Sequence, residues 1–454
     1  MKLMTIILAA GQGTRMRSQR AKVLHPVGGK PMLAHVIKAT AELDADGVVV
    51  VYGHDGDQVR EAFPDAAITW VNQQQQLGTG HAVKQAMSVV DADATVLVLY
   101  GDTPLIRPLT LKTILAHATD GLALLTAVLD DPAGYGRIIR DGAGAVVSIV
   151  EHKDASPEQL TIDEVNTGII AVSAAKLGGW LDRLENNNAQ GEYYLTDIIG
   201  MAVADGVDVN TVVCVDTQEI MGINNRVQQA EAERVYQMRE ARRQMLAGVT
   251  MQKPETVTIN GELQCGADVV IAQGVVFNGK VIIGDHVTIG PYNIISDSTI
   301  AAKVEILSHC VIDQAVIGDG CRIGPFARIR PETTLAEQVH VGNFVEVKKS
   351  TVAPGSKINH LSYIGDADVG SNVNIGAGTI TCNYDGANKF QTTIGDNVFV
   401  GSDTQLVAPV TIGDGATIGA GSTITRDVEP QVLALSRSEQ KTMKNWKRPV
   451  KQDR

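Results

Sequence analysis

Aromatic side chains make up only 4% of the 454 residues, a shortage that the fold has to explain. Cysteine is scarce as well. The five, at positions 214, 265, 310, 321 and 382, show no C-x-x-C pairing, which argues against a metal cluster or disulfide framework and for a reducing compartment. There is no basic excess: a net charge of −12 disfavours a nucleic-acid binder but leaves room for local pockets that hold small phosphorylated substrates. No apolar run approaches the ~20 residues of a membrane span. The opening MKLMTIILAAGQG resembles a leader, yet its apolar run is short and passes straight into a glycine loop with Arg15 and Arg17. A buried first strand suits it better. With apolar residues at 44% and charged residues at 20%, a soluble cytoplasmic protein of two or three domains is expected.

Glycine is plentiful, at 45 residues, and the organisation of the chain shows where it goes. Up to about residue 225, strand-like and helix-like stretches alternate. Met4–Ala9, Gly47–Tyr52 and Thr95–Tyr100 are unbroken apolar runs rich in β-branched residues, as in strands buried on both faces. Pro31–Glu42 and Gly80–Val89 have helical spacing. This order implies a parallel sheet of the doubly wound, Rossmann-like α/β class, with ligands at the carboxyl ends of the strands. Arg226–Leu246 follows without proline or glycine, setting Val227, Ala230, Arg234/Val235, Met238, Ala241 and Met245 on one stripe. It reads as a linker helix (226–248) between a domain of residues 1–225 and one of residues 249–454.

From about residue 250 the period becomes six. Aliphatics fall at 317, 323, 329, 335, 341 and 347, and again at 394, 400, 406, 412, 418 and 424. Glycine usually follows, as in IGDGCR–IGPFAR. This is the signature of a parallel β-helix, with the aliphatic filling the core and glycine, Asp and Asn making the corners. The rhythm breaks at Thr381–Thr393, expected to loop outward, and stops after Ile424, leaving a polar tail.

Two groups of residues carry chemistry. The first strand opens into Ala9-Ala10-Gly11-Gln12-Gly13-Thr14-Arg15, where glycines let backbone N–H groups approach a phosphate and Arg15 can help hold it. A dinucleotide fingerprint needs a third glycine, but position 16 is methionine, which disfavours a dehydrogenase. The second group interrupts the hexapeptide pattern: Arg330-Pro331, Asn343 to Lys349, and Asn359-His360-Leu361-Ser362-Tyr363. Coil stacking brings these together. Arg330 and Lys348 suit a phosphate monoester, His360 suits a general base near neutrality, and Glu346 is the expected orienter of His360.

The string LAAGQGTRM (8–16), Lys22-Val23-Leu24, Gln73, Gln76 to Gly80, Tyr100-Gly101-Asp102, Gly134 to Arg137, Glu151, Asn166-Thr-Gly and Gly222-Ile-Asn224 resembles the sugar-1-phosphate nucleotidyltransferases. With the hexapeptide half, the whole chain resembles the bacterial bifunctional UDP-N-acetylglucosamine pyrophosphorylases/glucosamine-1-phosphate N-acetyltransferases. It departs at Arg20-Ala21, where that family commonly has Leu-Pro before the lysine.

The resemblance implies a left-handed β-helix, a homotrimer, and cell-envelope precursor supply with UTP, glucosamine-1-phosphate and acetyl-CoA as substrates. Leu8, Ala9, Ala10, Gly11, Tyr100 and Gly101 would line the uridine nucleotide pocket, with Gln73, Gly78 and Thr79 reading the uracil. Gly136, Glu151, Asn166 and Asn224 would hold the sugar phosphate. Asp102 and Asn224 would bind Mg²⁺, with Arg15 and Lys22 stabilising the transition state. In the second half His360 would deprotonate the amine, and Tyr363 and Asn374 would bind its sugar phosphate. Ala377, Asn383, Tyr384, Ser402, Ala420 and Arg437 would hold acetyl-CoA. Two alternatives stay open: a nucleotidyltransferase whose β-helix only regulates or oligomerises, and a non-catalytic scaffold in the second half.

Overall fold

The apolar runs of the first half fold as strands because each is buried on both faces. They form β1 (Leu3–Ala9), β2 (Gly47–Tyr52) and β4 (Thr95–Tyr100), while β3 (Thr69–Asn72) is a partly exposed edge strand. In the computed structural model, which describes residues 2–53, 56–64, 67–119 and 121–451, β1 pairs in parallel with β2 and β4, and β2 with β3. The sheet continues through β5 (Leu122–Val128), a hairpin of β6 (Arg137–Arg140) and β7 (Val146–Val150), β8 (Glu164–Ser173) and β9 (Val209–Val213). Its order is β9-β5-β8-β4-β1-β2-β3, with the hairpin attached to β8.

An all-parallel sheet is not what forms. β8 runs antiparallel to both β4 and β5, because the chain reaches it from the β6–β7 hairpin rather than through a crossover helix. Helices α1 (Met32–Ala41), α2 (Thr79–Ala86), α3 (Pro108–Ala116), α4 (Ala174–Leu181) and α5 (Asp197–Ala204) cover the sheet. Alternation along β1 decides the layer: Ile6 packs with residues of α2, α4 and α5, while Ile7 packs with those of α1 and α3.

The chain divides into two compact units, Met1–Tyr236 and Gln237–Arg454, with the cut inside helix α6 (Arg226–Leu246). The expected apolar stripe of this helix is only partly buried. Val235 and Ala241 face inward, whereas Val227 is 79% exposed and Met238 is exposed too. Amides do what the stripe was expected to do. Gln237 accepts from the Ile259 N–H at 2.7 Å and donates to the Ile259 carbonyl, and the buried Gln244 donates to the Leu263 carbonyl at 2.8 Å. These side chains satisfy backbone groups of the first coil that would otherwise be an open edge.

The second unit is a parallel β-helix whose coils stack in three ladders of short strands. The six-spaced aliphatics point inward: Ile317, Ile323 and Ile329 are fully buried, as are Val400, Leu406 and Ile418. Corners are not reserved for glycine, Asp and Asn: many are held in the left-handed region by other residues, among them His286, Tyr292, Phe326, Glu332, Phe344, Lys349 and Leu361. Glycine often answers a different demand. A Cβ on Gly342 would stand 2.0 Å from the Asn359 carbonyl oxygen of the next coil, a clash no ordinary side chain survives.

The outward loop is shorter than expected. Thr381 and Thr392 are buried inside the coil, so the excursion spans residues 383 to 391, closed by a Tyr384–Lys389 bridge. Past Ile424 the solenoid adds one more partial turn: Val428 bridges Ile412, and Leu433–Ala434 pairs with Thr417–Ile418. Pro430 and Ser436 hide the period there. All five cysteines are free thiols. No helix among the described residues is long and apolar enough to cross a membrane.

Replacing Ile323, fully buried in the solenoid, by alanine should destabilise the second unit by about 2–5 kcal/mol. Denaturant unfolding followed by far-UV circular dichroism will show the loss. In a Trp446→Phe background the fluorescence transition of Trp70 and Trp180, both in the first unit, should not move.

Candidate active sites

In the first unit, the loop after β1 is shaped by Gly13, which has φ +60° and where a Cβ would meet the Lys22 Cβ at 2.7 Å. That close approach turns Lys22 toward the carboxyl edge of the sheet. Its Nζ donates to the Asp102 carboxylate and, at 2.9 Å, to the Asn224 side-chain oxygen. Arg15 donates to the same Asn224 oxygen at 3.0 Å. Asp102 follows β4 and Asn224 precedes α6, and the Ile223 N–H donates to the Asp102 carbonyl to fix one against the other. Three chain-distant residues thus meet at one point.

A cavity of about 490 Å³ opens beside this point. Leu8, Ala9, Ala10, Gly11, Lys22, Gln73, Gly78, Thr79, Tyr100 and Asp102 line it. Gly101 lies behind, where a Cβ would touch Val23 and Leu33. Asn166 shares a small pocket with Tyr100, whose hydroxyl feels the Glu151 charge. The Asn166 N–H donates to the Gly136 carbonyl at 2.9 Å, and a Cβ on Gly136 would sit 3.5 Å from Glu151. Glu151 accepts from Thr196 at 3.0 Å. Burial first, then the charges of Asp197, Asp154 and Glu192, hold its carboxyl above the usual range. A carboxyl stripped of water in this way gains from hydroxyl donors such as those of a sugar.

Gln76, part of the motif but not singled out within it, donates to the Ala10 carbonyl and ties the two cavity loops together. Gln12 and Glu192 also line the cavity; Glu192 carries no signal in the sequence, since it arrives from a distant loop.

On the solenoid, the polar residues do not displace the inner aliphatics: Ile329, Val345, Val347 and Ile364 stay buried. They stand on the outer surface, aligned by register, with Glu346 level with Tyr363 and Asn343 level with His360. The expected Glu346–His360 pair does not form. Glu346 accepts from Arg330 at 2.7 Å and lies 3.6 Å from Arg328, whose fixed positive charges draw the carboxylate. His360 Nδ1 lies 3.2 Å from the Asn343 side-chain oxygen instead.

Lys389, on the outward hairpin, carries no signal in the sequence. It faces Lys348, whose ammonium is held below its usual range chiefly by Lys389, then by loss of hydration and by Arg330. A cluster of cations that repel one another is prepared for an anion. Asn383 is buried at the hairpin base, donating to Asp366 at 2.5 Å and to the Tyr363 hydroxyl at 3.4 Å. Tyr384 is exposed.

The remaining residues lie along one corner. The carbonyls of His360, Ala377 and Ser402 accept from the N–H groups of Gly378, Asp403 and Gly421, and the Ala420 carbonyl accepts from Arg437. His360, Ala377, Ser402, Ala420 and Arg437 therefore mark successive coils. Asn374 stands on the adjoining ladder between Lys357 and Phe399. Within one chain, Ser402, Ala420 and Arg437 are not brought to the Arg330–Lys348 cluster.

Known proteins share this arrangement. Residues 5–152 match the MobA-like NTP transferase domain, 259–366 the GMPPB C-terminal domain, and 391–426 the bacterial transferase hexapeptide of six repeats. The chain is 53% identical over 447 residues to the bifunctional protein GlmU of Alkalilimnicola ehrlichii, covering 98% of this chain and 96% of that one. Against GlmU of Methylococcus capsulatus it is 54% identical over 453 residues, 99% and 98% of the two chains. Against that of an Azoarcus species it is 55% identical over 448 residues, 98% and 99%. Two transferase modules in this order and likeness over nearly the full length mean that the chain belongs to the bifunctional GlmU family, a uridylyltransferase followed by a hexapeptide-repeat acetyltransferase.

Proposed function

We propose that the second unit acetylates glucosamine-1-phosphate from acetyl-CoA and that the first joins the product to the uridylyl group of UTP, releasing pyrophosphate. The observation that carries the first reaction is the convergence of Lys22, Asp102 and Asn224 beside the cavity.

In this reading the nucleotide lies over Ala10 and Gly11, with Gln73, Gly78 and Thr79 at the uracil and Glu151, Asn166 and Gly136 at the sugar. A phosphate oxygen of N-acetylglucosamine-1-phosphate attacks the α-phosphorus of UTP in line, and the bond to pyrophosphate breaks. Lys22 and Arg15 neutralise charge that builds on the phosphoryl oxygens. Asp102 and Asn224 offer two oxygen donors to one point that already holds the Lys22 ammonium, and these two residues would hold a metal cation there. Hard oxygen donors suit Mg²⁺, which usually keeps several waters and takes phosphate oxygens as further ligands. Bound there, it would offset the triphosphate charge.

In the second unit Arg330, Lys348 and Lys389 hold the sugar phosphate, with Tyr363 and Asn374 beside it, and Glu346 keeps Arg330 in place. Asn343 fixes the His360 tautomer by accepting from Nδ1–H, leaving the Nε2 lone pair to take a proton from the amine. The amine nitrogen bonds to the thioester carbonyl, the carbon–sulfur bond breaks, and the leaving thiolate takes up a proton. Ala377, Asn383, Tyr384, Ser402, Ala420 and Arg437 hold the coenzyme in a homotrimer, with Ser402 near the tetrahedral oxyanion. Cytoplasmic location follows from these substrates.

Incubating the protein with glucosamine-1-phosphate, acetyl-CoA, UTP and Mg²⁺ should release CoA without UTP, but pyrophosphate only with a sugar phosphate and metal. Asp102→Asn should lower pyrophosphate release about 100-fold or more and spare CoA release. His360→Ala should lower CoA release by about 10²–10⁴-fold and spare pyrophosphate formation from supplied N-acetylglucosamine-1-phosphate. Full CoA release by that variant would make the solenoid base-independent and sink the assignment. The two orienting roles separate kinetically: Asn343→Ala should lower kcat, whereas Glu346→Ala should raise KM for the sugar phosphate.

A further inference from the structure

Gln73 is 3% exposed where it borders the nucleotide cavity, and both protons of its side-chain amide are engaged. Nε2 donates to the Gly78 carbonyl at 3.1 Å and lies 3.0 Å from His81 Nδ1. A carbonyl only accepts, so Gly78 decides which end of the amide is nitrogen. His81 Nδ1 must then accept as well, which places the proton of the neutral ring on Nε2. That nitrogen lies 3.2 Å from the half-buried Gln85 amide, which can turn its oxygen toward it. Burial first and the Lys84 charge second hold His81 below the ordinary histidine range, opposed by the Gln75 backbone, which favours the neutral ring.

The Gly78 carbonyl is itself pinned. The Gly80 N–H donates to the Tyr193 carbonyl and the Tyr193 N–H to the Leu77 carbonyl, both at 2.8 Å, while the Leu195 N–H donates to the Thr79 hydroxyl at 3.1 Å. Gly78 has φ +109°, and a Cβ there would meet the Tyr193 carbonyl oxygen at 2.6 Å. Among the described residues, nothing donates to Gln73 Oε1. The oxygen is the end left for a ligand.

We propose that His81 is a positioning residue for base selection. It holds Gln73 with its oxygen toward the base, so the site prefers a base with an N–H at the centre of its pairing edge, uracil, over one with a lone pair there, cytosine. A ring that cannot accept removes one of the two anchors, so that only the Gly78 carbonyl opposes a rotation that would offer Nε2 to cytosine N3. The proposal rests on the uridylyl-transfer reading above.

The test is kcat/KM for UTP and for CTP, measured as pyrophosphate release with N-acetylglucosamine-1-phosphate, in the full-length protein and its variants. In His81→Phe the UTP:CTP ratio should fall about tenfold or more, the scale of one lost buried hydrogen bond. In His81→Asn, whose Oδ1 can stand where Nδ1 stood, the ratio should stay within about threefold of the original. A merely structural role would lower both rates together and leave the ratio flat. An unchanged ratio in His81→Phe, or equal shifts in both variants, overturns the proposal. If His81→Phe does not fold by circular dichroism, His81→Gln takes its place, since its oxygen reaches only the Nε2 position. A parent protein that releases no pyrophosphate from UTP overturns the functional reading as well, an outcome distinct from a flat ratio.

Discussion

Parallel pairing brings like ends of successive strands to one line, and both units exploit it. In the first, Ala9 is level with Tyr52, Tyr52 with Asn72, and Leu8 with Tyr100. The residues that come next, among them Ala10, Gln73 and Gly101, leave the sheet along one edge, and the cavity lies there. In the second unit the same pairing sets Asn343 beside His360 and Glu346 beside Tyr363. A slip of one residue would turn these side chains inward and the aliphatics outward. The register that buries Ile329 and Val347 is thus the register that assembles the cluster.

Close stacking of coils also accounts for the composition. The solenoid interior takes Ile, Val and Leu, and among its described aromatic residues only Phe277 is fully buried. Other rings sit outside, on a corner, where His309 stacks on Phe326 and Phe326 on Phe344 with centroids 4.8 and 5.5 Å apart. Corners in the left-handed region cost about 1–2 kcal/mol for each non-glycine residue. The buried aliphatic on every rung, contributing about 1.5–3 kcal/mol when fully buried, offsets this coil by coil.

Much of this is legible in the sequence because it depends on local pattern. The buried strands, the period of six and the loops after residues 9 and 100 follow from residue type and spacing. The antiparallel β8 does not, since its direction depends on a hairpin whose strands look like any others. The amides of Gln237 and Gln244 are likewise invisible to a search for apolar stripes. The partner of His360 is an instructive case. Asn343 lies 17 residues before it, one coil away, so the solenoid period itself contained the answer. Glu346 was favoured on chemical type, but Arg330 and Arg328 stand nearer to it and hold it by charge.

The two sites differ in how much of the chain each one spans. The first draws Lys22, Asp102 and Asn224 into contact within one unit. The second, as proposed, is drawn out along the corner from His360 through Ala377, Ser402 and Ala420 to Arg437. Four steps between coils at about 4.8 Å make a track of roughly 19 Å. Such a track has no use for a compact sugar phosphate, which the Arg330, Lys348 and Lys389 cluster can hold alone. It suits a long, extended cosubstrate such as the one proposed above. The length of the corner is thus in keeping with the acetyl-CoA site proposed above.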